Sequence, residues 1–257
     1  MSKILFLIIT VGFFTACQTA KQETAETSEA NSSVVAPDST TTDSLNQLSP
    51  EQVAEGWYLL FDGETMKGWR FYQNKPNNSW EIVDGVLHCK PFDGNENRAD
   101  LVTQEQYKNF EFVFDWKVPK GGNSGVMYRV TEEFNEPYLS GPEYQLIDDL
   151  GWPGDPLKDS QLTGSNYDMH AAPKDKLMNP AGEWNTSKIL INGNHVEHWL
   201  NGRKLFDYEL QSDDWKKLKK NSKWNDAKGY GMAEKGHIAL QDHGQEVWFR
   251  NMMIRPL

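Results

Sequence analysis

Arg129, Glu143, Gln145, Gln241 and His243 form the set of residues whose types and spacing best suit chemistry. A β-strand sends successive side chains to opposite faces, so residues two apart share a face. In Gly125-Val126-Met127-Tyr128-Arg129 this rule groups Gly125, Met127 and Arg129. In Glu143-Tyr144-Gln145-Leu146 it groups Glu143 with Gln145, and in Ile238 to His243 it groups Ala239, Gln241 and His243. Each segment thus has one apolar face and one that carries Arg, Glu, Gln or His. A merely solvated strand face is the competing reading. Such faces favour Lys, Glu, Thr and Ser, and these five positions contain no lysine. A guanidinium, a carboxylate, two amides and an imidazole can bond paired hydroxyls. The carboxylate and the imidazole can also move protons.

Two more histidines need weighing. His170 closes Tyr167-Asp168-Met169-His170 in the long connection from Leu150 to Trp184, and connections of that length often carry function. His198 lies mid-strand, with the parity of Val196 and Leu200, which favours a hydrogen-bonded core histidine. Asp148, Asp149 and Asp155 offer oxygen ligands to a divalent cation, although carboxylates near turns are commonplace. Asp148, Tyr167 and Trp199 join Gln145 and Gln241 as candidate substrate contacts. The ten tryptophans suit stacking on a pyranose ring and equally suit a sandwich core.

The elements that must position these residues are short β-type runs broken by turns. Trp80 to Val83 and Val86 to Cys89 flank Asp84-Gly85, the pattern of a tight hairpin. Phe110 to Val118 alternates like a long strand, and Asn123 to Val130 and Glu143 to Asp148 follow it. Ser187 to Ile191, His195 to Leu200 and Lys204 to Tyr208 are joined by Asn192-Gly193-Asn194 and Asn201-Gly202. His237 to Gln241 and Val247 to Ile254 complete about a dozen strands. This predicts an antiparallel sandwich or barrel. Ser212 to Lys223 reads as a charged helical insertion, and Ser49-Pro50-Glu51-Gln52 as a short helix start.

The N-terminal part reads differently. Lys3 followed by the apolar run Ile4 to Phe14 predicts an export signal over residues 1–16, too short to span a bilayer. Phe14-Thr15-Ala16-Cys17 resembles a bacterial lipobox, with Cys17 as the lipidated residue. Residues 17–50 are poor in large apolar side chains and predict a flexible tether, which leaves 51–257 as the folded domain. The expected location is therefore the cell envelope, on its periplasmic or outer-membrane face, with the membrane reached only through the anchor. Cys89 is the one remaining cysteine and reads as a buried structural thiol. The formal charge of −11, without a basic cluster, argues against nucleic acid as partner.

Seven stretches in order make the chain resemble the 3-keto-disaccharide hydrolase domain family over about residues 56 to 257. They are Leu60-Phe-Asp-Gly63 with Gly68-Trp69, Asn123-Ser-Gly-Val126 with Arg129, Glu143 to Asp148, Gly182-Glu-Trp-Asn185, His198-Trp-Leu-Asn-Gly202, Leu240-Gln-Asp-His-Gly244 and Phe249-Arg-Asn251. The resemblance implies a concanavalin-like jelly roll and action on a sugar glycoside oxidised to a ketone at C3. Such a ketone acidifies the C2 hydrogen, so a base can remove it and the C1 substituent can leave. Glu143, His170, His198 or His243 would be the base, and Arg129 or a divalent metal would stabilise the enolate. A non-catalytic carbohydrate-binding module is the alternative on the same fold. A conventional retaining glycosidase needs a second carboxyl beside Glu143, and position 145 is an amide.

Overall fold

The computed structural model describes residues 45–257. The expected export signal, the lipidation at Cys17 and most of the expected tether lie outside the described residues. The helix α1 (Pro50–Ala54) opens with a capping box in which Ser49 and Gln52 bond each other's backbone, as its Ser-Pro-Glu-Gln start predicts. Strands β1 (Tyr58–Leu59), β2 (Trp69–Phe71), β3 (Trp80–Val83), β4 (Val86–Cys89) and β5 (Leu101–Thr103) come next. After them run β6 (Phe110–Lys117), β7 (Asn123–Val130) and β8 (Glu143–Ile147). Beyond the long connection lie β9 (Asn185–Asn192), β10 (His195–Leu200) and β11 (Arg203–Glu209), then helix α2 (Asp213–Lys220). Strands β12 (His237–Leu240) and β13 (Val247–Pro256) finish the chain.

These thirteen strands make two antiparallel sheets, a jelly-roll β-sandwich. The larger sheet has the order β11-β10-β9-β6-β13-β4-β3, with β1 added on β13, and the smaller has the order β2-β5-β12-β7-β8. Alternation fills the space between them. Phe110, Phe112, Phe114 and Trp116 of β6 face Tyr128, Tyr144, Leu146, Ile238 and Leu240 of the smaller sheet in one core cluster. The predicted tight turns form as expected. Asp84 and Gly85 have φ of 49° and 77°, and Asn201 and Gly202 have 46° and 78°, the paired positive angles that match strand twist. Cys89 is buried, and that burial pushes its thiol pKa well up.

The folded part begins earlier than its composition suggests. Asn46, expected in the tether, is buried and exchanges two 2.8 Å hydrogen bonds with Asn251, while its amide donates to the Gly85 carbonyl at 2.7 Å. A polar residue that spends its whole amide on backbone leaves no hydrophobic trace in a sequence. No helix among the described residues is long and apolar enough to cross a membrane.

Candidate functional site

The outer face of the smaller sheet gathers the polar residues that alternation brought together. Val102, Ala239, Met127 and Glu143 lie side by side across β5, β12, β7 and β8. One step along the strands, Gly125 sits opposite Gln145, and the Gln241 N–H donates to the Gly125 carbonyl at 2.9 Å. A β-carbon at Gly125 would displace the Glu143 carboxyl, which lies across the glycine. Glu143 is 3% exposed, and burial pushes its pKa up to about 7 against the pull of the Lys223 ammonium and the Gln241 amide.

Amides line this carboxyl. With its amide nitrogen turned inward, Gln145 donates to Glu143 Oε1 at 3.1 Å and to the Ser124 carbonyl at 3.0 Å. Gln241 Oε1 is buried with no partner in the protein, an acceptor suited to a ligand hydroxyl. Asn123 Nδ2 lies 3.4 Å from His243 Nε2. His243 itself is exposed at the rim, with Gln245 at 2.6 Å and Trp152 edge-on.

Beyond the β8 edge the chain supplies a cation. The Tyr167 N–H donates to the Glu143 carbonyl at 3.0 Å, which ties the long connection to β8. The Trp224 indole N–H donates to the Tyr167 carbonyl at 2.8 Å. The Lys223 ammonium lies 4.0 Å from the Tyr167 ring centre and 4.3 Å from that of Trp224. Much of the Lys223 side chain meets solvent, yet the protein packed around its charged end lowers its pKa.

On the other side stands Asp100, which sequence reasoning missed. It precedes Leu101, a residue of the inter-sheet core, and so shares the outer face of Val102. Asp100 Oδ1 accepts the Asp242 N–H at 2.6 Å, and burial pushes its carboxyl up to about 8. Asp242 is in turn held by Arg98 Nε at 2.8 Å and Ser79 Oγ at 2.6 Å. Tyr138 packs on the apolar floor of this face, and burial, with the charges of Glu136, Asp100 and Glu143, raises its phenol pKa.

The structure takes the remaining candidates elsewhere. Between His237–Val130 and Ala239–Met127, β7 has one residue more than β12, a β-bulge in which Arg129 adopts φ +53°. The bulge breaks the alternation expected for Arg129. Its guanidinium turns away from the Glu143 face and donates to the Lys108 carbonyl at 2.6 Å and the Gly193 carbonyl at 2.7 Å. His198 is fully buried between the sheets, where Nδ1–H donates to the Gly164 carbonyl at 2.9 Å and Nε2 accepts the Tyr128 hydroxyl at 3.0 Å. Burial lowers its pKa to about 3, so it stays neutral. His170 stacks on Tyr208 at 4.3 Å, its pKa lowered by burial to about 4, and lines a separate cavity of about 620 Å³ beside α2.

Trp199 lies on the outer face of the larger sheet, donating to Glu197 at 2.7 Å under the Lys188 ammonium. Asp148 accepts the Gly121 and Leu150 N–H groups at 2.9 and 3.3 Å. Asp149 pairs with Lys176 at 2.7 Å, and Asp155 is exposed. These carboxylates do not converge as a cation site, and no cluster of three or more His, Cys, Asp or Glu forms one among the described residues.

Comparison with known proteins places this geometry in context. A family model described as a 3-keto-alpha-glucoside-1,2-lyase-like domain matches residues 56–255. A 3-keto-disaccharide hydrolase of Bacteroides thetaiotaomicron is 35% identical over 231 residues, covering 79% of each chain. A crystal structure from Parabacteroides distasonis, described as a candidate glycosyl hydrolase, is 40% identical with a TM-score of 0.77 and covers 83% of this chain and 99% of its own. A second crystal structure from the same organism is 28% identical with a TM-score of 0.60, covering 78% and 99%.

Proposed function

The chain belongs to the 3-keto-alpha-glucoside-1,2-lyase-like domain family and is a carbohydrate hydrolase; from that premise we propose that it cleaves 3-keto-glycosides by removing the C2 hydrogen and expelling the C1 substituent. Glu143 is the base. Its carboxyl, pushed up to about 7, is basic enough to take an acidified C–H proton and ionised enough to do so near neutral pH. The C3 carbonyl becomes an enolate as the C2 proton leaves, and Lys223 supplies the positive charge for that oxygen. Gln145 and Gln241 orient hydroxyls, and Tyr167 and Tyr138 wall the ring.

The observation that carries this reading is the pairing of a buried carboxyl on the outer face of the smaller sheet with the Lys223 ammonium beyond its edge. Collapse of the enolate forms a C1=C2 bond, restores the ketone and releases the C1 oxygen. Water then adds to C1 while a proton returns to C2, so the net reaction is hydrolysis. Incubation with a 3-keto-glucoside carrying deuterium at C2, beside its unoxidised parent, tests the scheme. Cleavage of the keto form alone, slowed by deuterium, is the expected result. Cleavage of the parent would refute it, and binding without cleavage would make the domain a sugar-binding module. Residues 1–17 are proposed to export the protein and anchor it through lipid on Cys17. Loss of palmitate labelling in Cys17→Ser is the expected outcome.

A further inference from the structure

We infer that Asp100 is the acid that gives its proton to the departing C1 oxygen, so that the acid, just before β5, and the base, on β8, act from one face of the smaller sheet. The inference rests on the elimination reading above and assigns the one step that reading leaves without a residue. Its first support is position. Across the sheet the order is Lys223 beyond the edge, Glu143 on β8, Gln241 following β12, then Asp100 beside β5. Along the sugar the order is C3 carbonyl, C2 hydrogen, C1 oxygen. A ring that offers its ketone to Lys223 and its C2–H to Glu143 therefore extends its C1 substituent towards Asp100.

The second support is the bonding of the carboxyl. Oδ1 accepts the Asp242 N–H at 2.6 Å, so a proton on this group resides on Oδ2. The Asp242 segment is itself fixed by Arg98 and Ser79, so Asp100 is held against a rigid donor. That Arg98 guanidinium bonds the Asp242 carboxylate and the Lys90 carbonyl. The other groups facing Asp100 are Asp242, Glu136 and Glu143, with the phenols of Tyr72 and Tyr138. All of these except the Asp242 N–H favour the protonated carboxyl or leave it unchanged.

The third support is coupling. The Glu143 charge is one of the causes that raise the Asp100 pKa. Once Glu143 has taken the C2 proton it is neutral, and Asp100 becomes a stronger acid as the leaving group starts to depart. The Asp100 proton goes to the glycosidic oxygen and the C1–O electron pair goes with that oxygen. The enolate pair forms C1=C2. Water adding to C1 then returns a proton to Asp100, while Glu143 returns its proton to C2, and both residues are restored.

The test uses leaving groups. Wild type, Asp100→Asn and Glu143→Gln are assayed on methyl 3-keto-glucoside, a poor leaving group whose expulsion is slow, and on 4-nitrophenyl 3-keto-glucoside, which departs without a proton. Asp100→Asn is expected to lose about 100-fold or more in kcat on the methyl glycoside and less than about fivefold on the nitrophenyl one. Glu143→Gln loses both. In wild type alone, kcat/KM on the methyl glycoside should fall at alkaline pH and remain level on the nitrophenyl one, a readout that needs no variant. Equal losses on the two substrates, or an alkaline fall common to both, would overturn the role of Asp100. Cleavage of unoxidised methyl glucoside with the same Asp100 dependence would instead overturn the elimination and keep Asp100 as the acid. Failure of wild type on every substrate overturns both.

Discussion

Replacing Glu143 by Gln should stabilise the protein at neutral pH while removing its activity. The carboxyl is pushed from 4.5 to about 7 mainly because burial disfavours its charged form. At about 1.36 kcal/mol per factor of ten, that displacement corresponds to about 3 kcal/mol. The sign follows from linkage. Folded Glu143 holds its proton more tightly than the unfolded chain does, so it favours folding relative to a fully ionised carboxyl only while protonated. The stability it contributes is complete below pH 4.5 and is lost as pH rises to about 7. The amide is nearly isosteric, carries no charge to bury and can keep the contacts to Gln145 and Gln241. Urea melts from pH 4 to pH 8.5 read the difference between variant and wild type, so that other carboxyls cancel. The difference should be near zero at pH 4 and grow to about 3 kcal/mol above pH 7.5, with turnover reduced by about 100-fold or more. A variant no more stable than wild type at pH 8 would show that the carboxyl is not held in a state that resists ionisation. A variant that is stabilised but still turns over would remove Glu143 from the chemistry.

Lys223→Met should lower kcat by about 100-fold with little change in KM, because its charge is needed most when the enolate forms. It should also move the acid limb of kcat/KM to higher pH, since Lys223 lowers the Glu143 pKa. Arg129→Gln should cost about 2–4 kcal/mol, measured by urea melt, because it strips charged donors from the Lys108 and Gly193 carbonyls. Folded Arg129→Gln protein should keep wild-type turnover; a large loss would return Arg129 to the reaction. His198→Phe should likewise destabilise, leaving the Gly164 carbonyl without its donor and the Tyr128 hydroxyl with Tyr208 alone, yet keep the shape of the pH–rate profile. Trp199→Ala should leave kcat/KM unchanged, since its ring lies on the opposite outer face.

Where a strand is regular, its sequence alone reveals which residues meet. Glu143 with Gln145, and Ala239 with Gln241, come together because alternation runs unbroken through β8 and β12. The tight turns at Asp84-Gly85 and Asn201-Gly202 are legible for a similar reason: two adjacent residues with positive φ decide them locally. Arg129 escapes because a single extra residue in β7 changes its side, and only pairing with β12 reveals that residue. Parity does place His198 correctly with Val196 and Leu200, against the pull of its position in a family-like motif. Lys223 ends the lysine-rich run that reads as a charged helical insertion. Only the packing of Trp224 on Tyr167 carries it to the β8 edge.

Asp100 was the least legible residue of the site, and the reason bears on how the site works. It follows an irregular stretch and precedes a strand of three residues, too short to show a period. Nothing local marks it, because what keeps its proton on near neutral pH is assembled by tertiary structure: burial and the charges of Asp242, Glu136 and Glu143, against the pull of the Asp242 N–H. The same holds for Glu143, whose basicity depends on Gly125 being small enough to let it lie flat and buried. Both carboxyls therefore reduce folding stability at neutral pH, and the rigid sandwich beneath them must offset that cost. This explains why Glu143 sits on a paired strand and Asp100 at the threshold of one, bonded to the segment that follows β12: a free loop could relax, readmit water and let both pKa values return to their ordinary range, whereas residues tied to a paired sheet cannot.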